Sequence, residues 1–137
     1  MTRTGQCCCG ESEIEVTDNP VLNCICNCSN CKKRTGSAFG VSAYFTEANF
    51  KITKDSTSTY QRKSESGEQV RNFCNKCGTT LFWKVEALKG LVGVAAGCFT
   101  DKPLPAPNYN AFMDAQCSWV SFSESVKPLT AQDIPSV

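Results

Sequence analysis

The densest group of cysteines lies in the stretch Cys24-Ile-Cys-Asn-Cys-Ser-Asn-Cys31. Within it, Cys26, Cys28 and Cys31 are close enough in sequence to bind one metal ion together. Because zinc takes four ligands in most protein sites, three thiolates leave one position open, which is typical of catalytic zinc. A substrate thiol suits that position, since coordination to zinc lowers a thiol pKa from about 8.5 so that the group ionises at neutral pH.

Two more cysteine pairs are far apart in the sequence. They are Cys7 with Cys9 and Cys74 with Cys77, and each pair is followed directly by a glycine. Four thiolates from two such turns form the ligand set of a closed structural zinc site. Zinc bound in this way contributes roughly 10 to 16 kcal/mol of apparent binding free energy, comparable with the stability of a whole domain. We expect this site to stabilise the fold and to do no chemistry.

Two alternatives remain open for residues 26–31, which contain Cys26, Cys28 and Cys31 and which we call the three-cysteine segment. Side chains alternate along a strand, so Cys24 shares a face with Cys26 and is a rival fourth ligand that would close the site. An iron–sulfur cluster also uses cysteine ligands, although its spacing usually includes a longer run. The chain contains no histidine, which leaves thiolates, carboxylates and water as ligands for either site. The remaining cysteines are expected to be small buried apolar residues: Cys8, Cys98 and Cys117.

The composition favours metal binding and a small-molecule partner. Eleven cysteines among 137 residues is about 8 %, and in a reducing cytosol Cys-x-Cys and Cys-x-x-Cys spacings indicate metal ligands more often than disulfides. Residues 1–6 contain no apolar signal segment, and no run reaches the roughly 20 apolar residues of a membrane span, which predicts a cytoplasmic protein. Fourteen basic and thirteen acidic residues give a net charge of +1, too small to favour nucleic acid.

Short β-prone segments separated by turn signals predict a mostly β fold. The chain length fits one zinc-stapled domain, residues 1–137. We expect a short helix over residues 29–34, capped by Ser29 or Asn30, and a hairpin turn at residues 74–78. We expect a loop at residues 64–68 and a rigid connection at residues 101–107. The expected strands are 12–16, 21–26, 38–45, 50–53, 57–61, 70–74, 79–85, 91–99 and one more within 110–122.

A basic loop directly follows the three-cysteine segment. Its cations and glycine-turned backbone amides suit an anionic ligand, and the candidate binding residues are Lys33, Arg34, Thr35, Gly36 and Ser37. A solvated basic turn is the other interpretation, and composition alone favours it. The neighbouring thiols are what give the anion-binding interpretation its weight.

Four motifs follow one another over about the first three-fifths of the chain. They are Gly-x-Cys-x-Cys-Gly at 5–10, Cys-x-Cys-x-x-Cys at 26–31, Lys-Arg-Thr-Gly-Ser-Ala-Phe at 33–39 and Arg-x-Phe-Cys-x-x-Cys-Gly at 71–78. Together with Trp119, they resemble the glutathione-dependent formaldehyde-activating enzyme family, which includes the centromere protein V type of domain. The resemblance implies a β-tent fold related to zinc ribbons and two zinc ions. The structural zinc would be on the two cysteine pairs and the catalytic zinc on the three-cysteine segment.

The resemblance also implies carbon–sulfur lyase activity that joins glutathione to formaldehyde to give S-hydroxymethylglutathione. The glutathione sulfur would lie at the second zinc, while Lys33, Arg34 and the backbone amides of residues 35–37 hold its carboxylates; that role of the loop is our hypothesis. Many family members have histidine at the position of Asn27 and another around residues 108–110, and this chain has neither. The alternative function is a non-catalytic interaction or thiol-carrier module with two structural zincs.

Overall fold

The computed structural model describes residues 1–64 and 66–136, and their secondary structure is mostly β, as the sequence predicts. The short 3-10 turns are Glu47–Asn49, Glu86–Leu88, Ala96–Cys98, Met113–Ala115 and Ala131–Asp133. The helix and strands are β1 (Thr2–Gln6), β2 (Glu13–Thr17), β3 (Leu22–Cys26), α1 (Ser29–Thr35), β4 (Gly40–Thr46), β5 (Phe50–Lys54), β6 (Thr57–Ser64), β7 (Gly67–Cys74), β8 (Thr80–Val85), β9 (Leu91–Ala95), β10 (Tyr109–Ala111) and β11 (Lys127–Pro128).

The strands form two sheets. A three-stranded sheet has the order β1-β2-β5, and an eight-stranded sheet has the order β11-β10-β3-β4-β9-β8-β7-β6. Strand pairs are antiparallel except that β10 runs parallel to both β3 and β11. Parallel pairing puts Ala111 beside Cys26, so the chain that follows β10 lies next to the three-cysteine segment.

The core lies where the small sheet packs against the large one. Ile14 and Val16 on β2 are no more than 1 % exposed, and they join one buried cluster with Phe45 on β4 and Leu81 on β8. Period-two burial along β2 explains this arrangement, because alternate side chains of a strand face the core. Cys7 and Cys74 belong to the same cluster, which anchors the two cysteine pairs in the core.

The predicted helix forms, but its N-cap differs from the prediction. The Sγ atom of Cys28 accepts a hydrogen bond from the backbone N–H of Cys31 at 3.3 Å, so Cys28 takes the capping place expected for Ser29 or Asn30. The helix ends as predicted at Gly36, whose φ of +64° is left-handed and favours glycine. No helix in the described part of the chain is long and apolar enough to cross a membrane.

Three expected segments differ from the observed ones. The strand predicted over 91–99 stops at Ala95 and a 3-10 turn follows, which lets the Phe99 ring pack against Gly5 on β1. The strand within 110–122 is reduced to Tyr109–Ala111, because Phe112 leaves the extended conformation at φ +55°. The loop expected at 64–68 is shorter than predicted, since β6 runs to Ser64 and β7 begins at Gly67; Glu65 lies outside the described residues.

Candidate metal centres

The first cluster, which we call the four-cysteine cluster, joins two distant turns. Cys7 and Cys9 follow β1, whereas Cys74 and Cys77 lie in the turn between β7 and β8, as predicted. All four Sγ atoms lie within 4.8 Å of one another, and the Sγ of Cys9 is 3.7 Å from those of Cys7 and Cys74. Tetrahedral zinc with Zn–S bonds of about 2.3 Å places its sulfur ligands about 3.8 Å apart. The donor set therefore fits zinc.

Neighbouring donors stabilise negative charge on this cluster. The backbone N–H of Ser12 donates to the Sγ of Cys7 at 3.2 Å. The Thr79 hydroxyl lies 3.3 Å from the Sγ of Cys77, and its hydrogen bond, followed by that of the Thr79 backbone, lowers the pKa of Cys77 to about 5. The turn closes at Gly78, whose φ of +80° is accessible to glycine without strain.

The second cluster, which we call the three-cysteine cluster, comes from one short segment at the junction of β3 and α1. The Sγ atoms of Cys26, Cys28 and Cys31 all lie within 4.8 Å of one another, and those of Cys26 and Cys28 are 3.4 Å apart. The Sγ of Cys28 is also fixed by its capping hydrogen bond to α1. Three thiols in this arrangement fit three corners of a tetrahedral zinc site.

Hydrogen bonding within the three-cysteine cluster separates the pKa values of its thiols. Bonds from the thiols of Cys26 and Cys31, then from backbone N–H groups, lower the pKa of Cys28 to about 2. The same contacts, with Cys28 as the main partner, raise the pKa of Cys26. The Sγ of Cys28 is therefore the hydrogen-bond acceptor of this cluster, and its neighbours are donors.

Cys24 lies close to the three-cysteine cluster without belonging to it. The sulfur group within 4.8 Å consists of Cys26, Cys28 and Cys31, and Cys24 is buried at 5 % exposure on β3. Burial, followed by the nearby charge of Cys31, raises the pKa of the Cys24 thiol to about 12. The geometry favours three protein ligands over four.

A cavity of about 810 Å³ opens beside the three-cysteine cluster. Its lining includes all three cysteines of that cluster and none of the four-cysteine cluster. Strands β6, β7 and β8 also contribute lining residues, and so does the chain after β10. The lining residues used below are Asn30, Arg34, Tyr44, Arg62, Gln69, Arg71 and Trp83.

Three of these side chains contact one another on the cavity wall, and the Tyr44 and Trp83 rings meet edge to face. Trp83 donates its Nε1–H to the Tyr44 hydroxyl at 3.2 Å, and the guanidinium carbon of Arg34 lies 4.5 Å from the centroid of Trp83. Gly93 on β9 makes room for this packing, since a Cβ there would lie 2.3 Å from the indole nitrogen. Burial raises the pKa of Tyr44, so its hydroxyl keeps its proton and can donate it to a ligand.

The family model described as glutathione-dependent formaldehyde-activating enzyme matches residues 2–115. The chain belongs to this family. Among curated relatives, it is 30 % identical over 115 residues to a Fusarium vanettenii protein, covering 80 % of this chain and 61 % of the relative. It is 32 % identical over 114 residues to a Talaromyces marneffei protein, covering 80 % and 60 %. Both are provisionally named glutathione-dependent formaldehyde-activating enzymes, and the chain spans about three-fifths of the length of these relatives.

Among solved structures, the fold of this family member is similar to that of a Rhodobacter sphaeroides protein determined by crystallography. The TM-score is 0.56 at 21 % identity, and the match covers 70 % of this chain and 86 % of the other. At this identity the likeness concerns the fold alone.

The basic loop of this glutathione-dependent formaldehyde-activating enzyme family member is only partly in the cavity. Arg34 lines the cavity, whereas Lys33 and residues 35–37 are exposed and lie outside it. The backbone amides of Gly36 and Ser37 donate to the carbonyl oxygen of Lys32, at 2.8 and 3.3 Å. These two amides already complete the helix end, and the expectation that the loop holds a carboxylate stays a prediction.

The two positions noted for their lack of histidine contact each other. The buried Asn27 donates from Nδ2 to the Oδ1 of Asn110 at 2.5 Å and to the carbonyl oxygen of Ala111 at 2.9 Å. Asn110 in turn donates to the Oε1 of Gln116 at 2.9 Å. These hydrogen-bonded amides connect the three-cysteine segment to the residues after β10. From the sequence alone, the two positions are only two unrelated places where a histidine is missing.

Sequence reasoning missed Tyr44, Arg62 and Arg71 as functional candidates. Arg71 belongs to the fourth motif, but the motif alone assigns it no role. Arg62 pairs with Gln69 across β6 and β7, and Tyr60 pairs with Arg71, so the available signal is two arginines on paired strands. Recognising that signal requires the pairing register of the two strands.

Proposed function

We propose that the chain is a zinc-dependent carbon–sulfur lyase that joins glutathione, or a similar small thiol, to formaldehyde or a related aldehyde. The product is an S-hydroxymethyl adduct. The observation that carries this proposal is the placement of the three-cysteine cluster: all three of its cysteines line an 810 Å³ cavity, whereas Cys7 alone of the four-cysteine cluster lines a second cavity, of about 680 Å³. The proposal assigns a catalytic zinc to Cys26, Cys28 and Cys31 and a structural zinc to the four-cysteine cluster. Family membership supports the choice of thiol and aldehyde.

Zinc held by the three cysteines would supply the Lewis acidity that lowers the pKa of an incoming thiol. The substrate sulfur then forms a bond to the carbonyl carbon, the carbonyl π bond breaks, and the oxygen takes up a proton while the thiol proton passes to solvent. The Tyr44 hydroxyl is one protein group in the cavity suited to donate a hydrogen bond to that oxygen, because its own oxygen already accepts from Trp83. Arg34 is placed on the same wall to orient an anionic part of the thiol.

The chemistry asked of these residues is modest. Thiols add to formaldehyde readily without a catalyst, so holding the two reactants together and providing a thiolate account for the acceleration required. This agrees with a chain that has no histidine to act as general base. The proposal also takes residues 1–137 as one domain that acts in the cytoplasm on a small thiol rather than on nucleic acid.

Replacing Cys28 by alanine tests the proposal, with Cys117→Ala as a matched control because Cys117 is half-buried and outside both clusters. We expect two zinc ions per chain in the unchanged protein and one in Cys28→Ala. Turnover, measured by exchange NMR between formaldehyde and S-hydroxymethylglutathione, should fall at least about 100-fold toward the uncatalysed rate.

Retention of both zincs and of turnover in Cys28→Ala would contradict the mechanism. The non-catalytic module predicts a different pattern in the unchanged protein: no turnover, and two zincs that resist a mild chelator equally and ignore added glutathione.

A further inference from the structure

Three arginines line the cavity that contains the three-cysteine cluster. Arg34 comes from α1, Arg62 from β6 and Arg71 from β7, so three separate elements converge there. The cavity lining contains no aspartate or glutamate among the residues that the structure describes. Within residues 1–64 and 66–136, the salt bridges involve other groups, and none of these arginines has a carboxylate partner.

The arginines are close enough to repel one another. The pKa of Arg71 is lowered by burial and then by the positive charges of Arg34 and Arg62. In addition, the Nη2 of Arg34 and the Nε of Arg71 are buried without a hydrogen-bond partner in the described structure. Unpaired buried donors and clustered like charges both destabilise the protein, and an anionic ligand relieves both.

Two of the guanidinium groups are held in place before any ligand arrives. Arg71 donates to the Oδ1 of Asn30, whose Nδ2 lies 3.4 Å from the Oε1 of Gln69. Asn30 lies between Cys28 and Cys31 in sequence, so this contact ties Arg71 to the three-cysteine cluster. Arg34 is held by its stacking on Trp83. Such fixed donors lose little conformational entropy on binding.

We propose that Arg34, Arg62 and Arg71 recognise the thiol substrate by its carboxylates, so that the cavity prefers a small thiol carrying two or more of them. The proposal rests on the proposed function for the thiol and adds the residues that determine its charge class. Guanidinium groups bind carboxylates through paired N–H donors, which accounts for this preference.

Ligand binding to the unchanged, zinc-loaded protein tests this proposal without depending on any variant. The probe is S-methylglutathione, whose sulfur cannot ionise, compared by calorimetry with its diethyl ester. We expect the ester to bind at least about tenfold more weakly, which is about the effect of losing charge-assisted hydrogen bonds.

Variants then locate the binding groups. Arg62→Gln and Arg71→Gln should each weaken S-methylglutathione binding about tenfold. Lys63→Gln is the matched control, because Lys63 is the next residue on β6, carries the same charge, and is exposed outside the cavity. Circular dichroism and zinc content report whether each variant is folded.

Equal binding of the ester, or no binding of S-methylglutathione, would overturn the proposal. These results are separable from the fate of the proposed function. Charge-selective binding without turnover of glutathione and formaldehyde would refute the enzyme and keep the carboxylate site. Turnover that is equally fast with glutathione and its diethyl ester would keep the enzyme and refute the site.

Discussion

The two cysteine clusters differ in how they are connected to the rest of the fold. The four-cysteine cluster joins the chain after β1 to the turn between β7 and β8, and its members Cys9 and Cys74 are 65 residues apart in sequence. The three-cysteine cluster is contributed entirely by residues 26–31 and lies beside a large cavity. The four-cysteine cluster therefore closes a long loop through the core, whereas all three thiols of the three-cysteine cluster lie at the edge of the cavity.

This difference separates stability from chemistry. A metal that joins distant segments stabilises the folded state strongly, because the unfolded chain does not bring its ligands together. A metal held by one short segment has less effect on the fold, since α1 and β3 keep most of their other contacts without it. We therefore expect loss of the first site to abolish folding and loss of the second to abolish activity.

Replacing Cys74 by serine should have the largest effect. Cys74 is fully buried in the core and is a member of the four-cysteine cluster, whose zinc would contribute roughly 10 to 16 kcal/mol of binding free energy. Since a typical domain is stable by only about 5 to 15 kcal/mol, the variant should be unfolded at room temperature. Circular dichroism and thermal melting measure this directly.

Cys8→Ser is the control for that variant. Cys8 lies between two members of the cluster but its side chain is exposed, contrary to the expectation that it would be buried. The control should melt within a few degrees of the unchanged protein. A folded Cys74→Ser protein with one zinc would mean that the four-cysteine cluster is not what holds the two sheets together.

The ligand sets could be proposed from the sequence because short spacings restrict which sulfurs can meet. Cys-x-Cys and Cys-x-x-Cys turns bring their thiols together whatever the surrounding fold, and the structure brings both predicted groups together. The mostly β class was predictable for a similar local reason, because each segment by itself shows alternating polar and apolar residues or turn-forming residues. The hairpin turn at Cys74 could be predicted from the two β-prone segments that flank it.

The cavity and its polar wall could not be predicted in the same way. Arg34, Arg62 and Arg71 come from three elements, and only the sheet order and register bring them together. The Tyr44 and Trp83 contact likewise depends on β4 and β8 both pairing with β9, with Gly93 between them. The Cys28 cap was missed because serine and asparagine are the usual capping residues, and the geometry of the three thiols outweighed that preference.

Tyr44→Phe should have an intermediate effect that is confined to the cavity. The change removes the hydroxyl that accepts from Trp83 and, in the proposed mechanism, donates to the carbonyl oxygen. We expect kcat to fall about tenfold with the KM for the thiol and the zinc content unchanged, because one transition-state hydrogen bond is lost. The free energy of unfolding should fall by about 1 to 2 kcal/mol, since the indole N–H loses its acceptor.

Tyr60→Phe serves as the control, because Tyr60 is 53 % exposed and does not line the cavity. It should change neither the kinetics nor the stability. An unaltered kcat in Tyr44→Phe would mean that the tyrosine takes no part in the mechanism. Activation of the thiol by zinc would then have to account for the catalysis alone.

Cys24→Ala should have the smallest effect. It decides whether the three-cysteine cluster leaves a metal-ligand position for the substrate thiol. If the site uses only three protein thiols, the variant keeps two zincs and full activity, and its stability falls by about 1 kcal/mol, as for an ordinary buried substitution. Cys98→Ala is the matched control: its thiol is outside both clusters, and burial raises its pKa, to about 11, much as for Cys24. Loss of one zinc in Cys24→Ala but not in Cys98→Ala would show that Cys24 is a fourth ligand. The two clusters would then both be closed structural sites, and the cavity would have to act without a metal position open to the thiol.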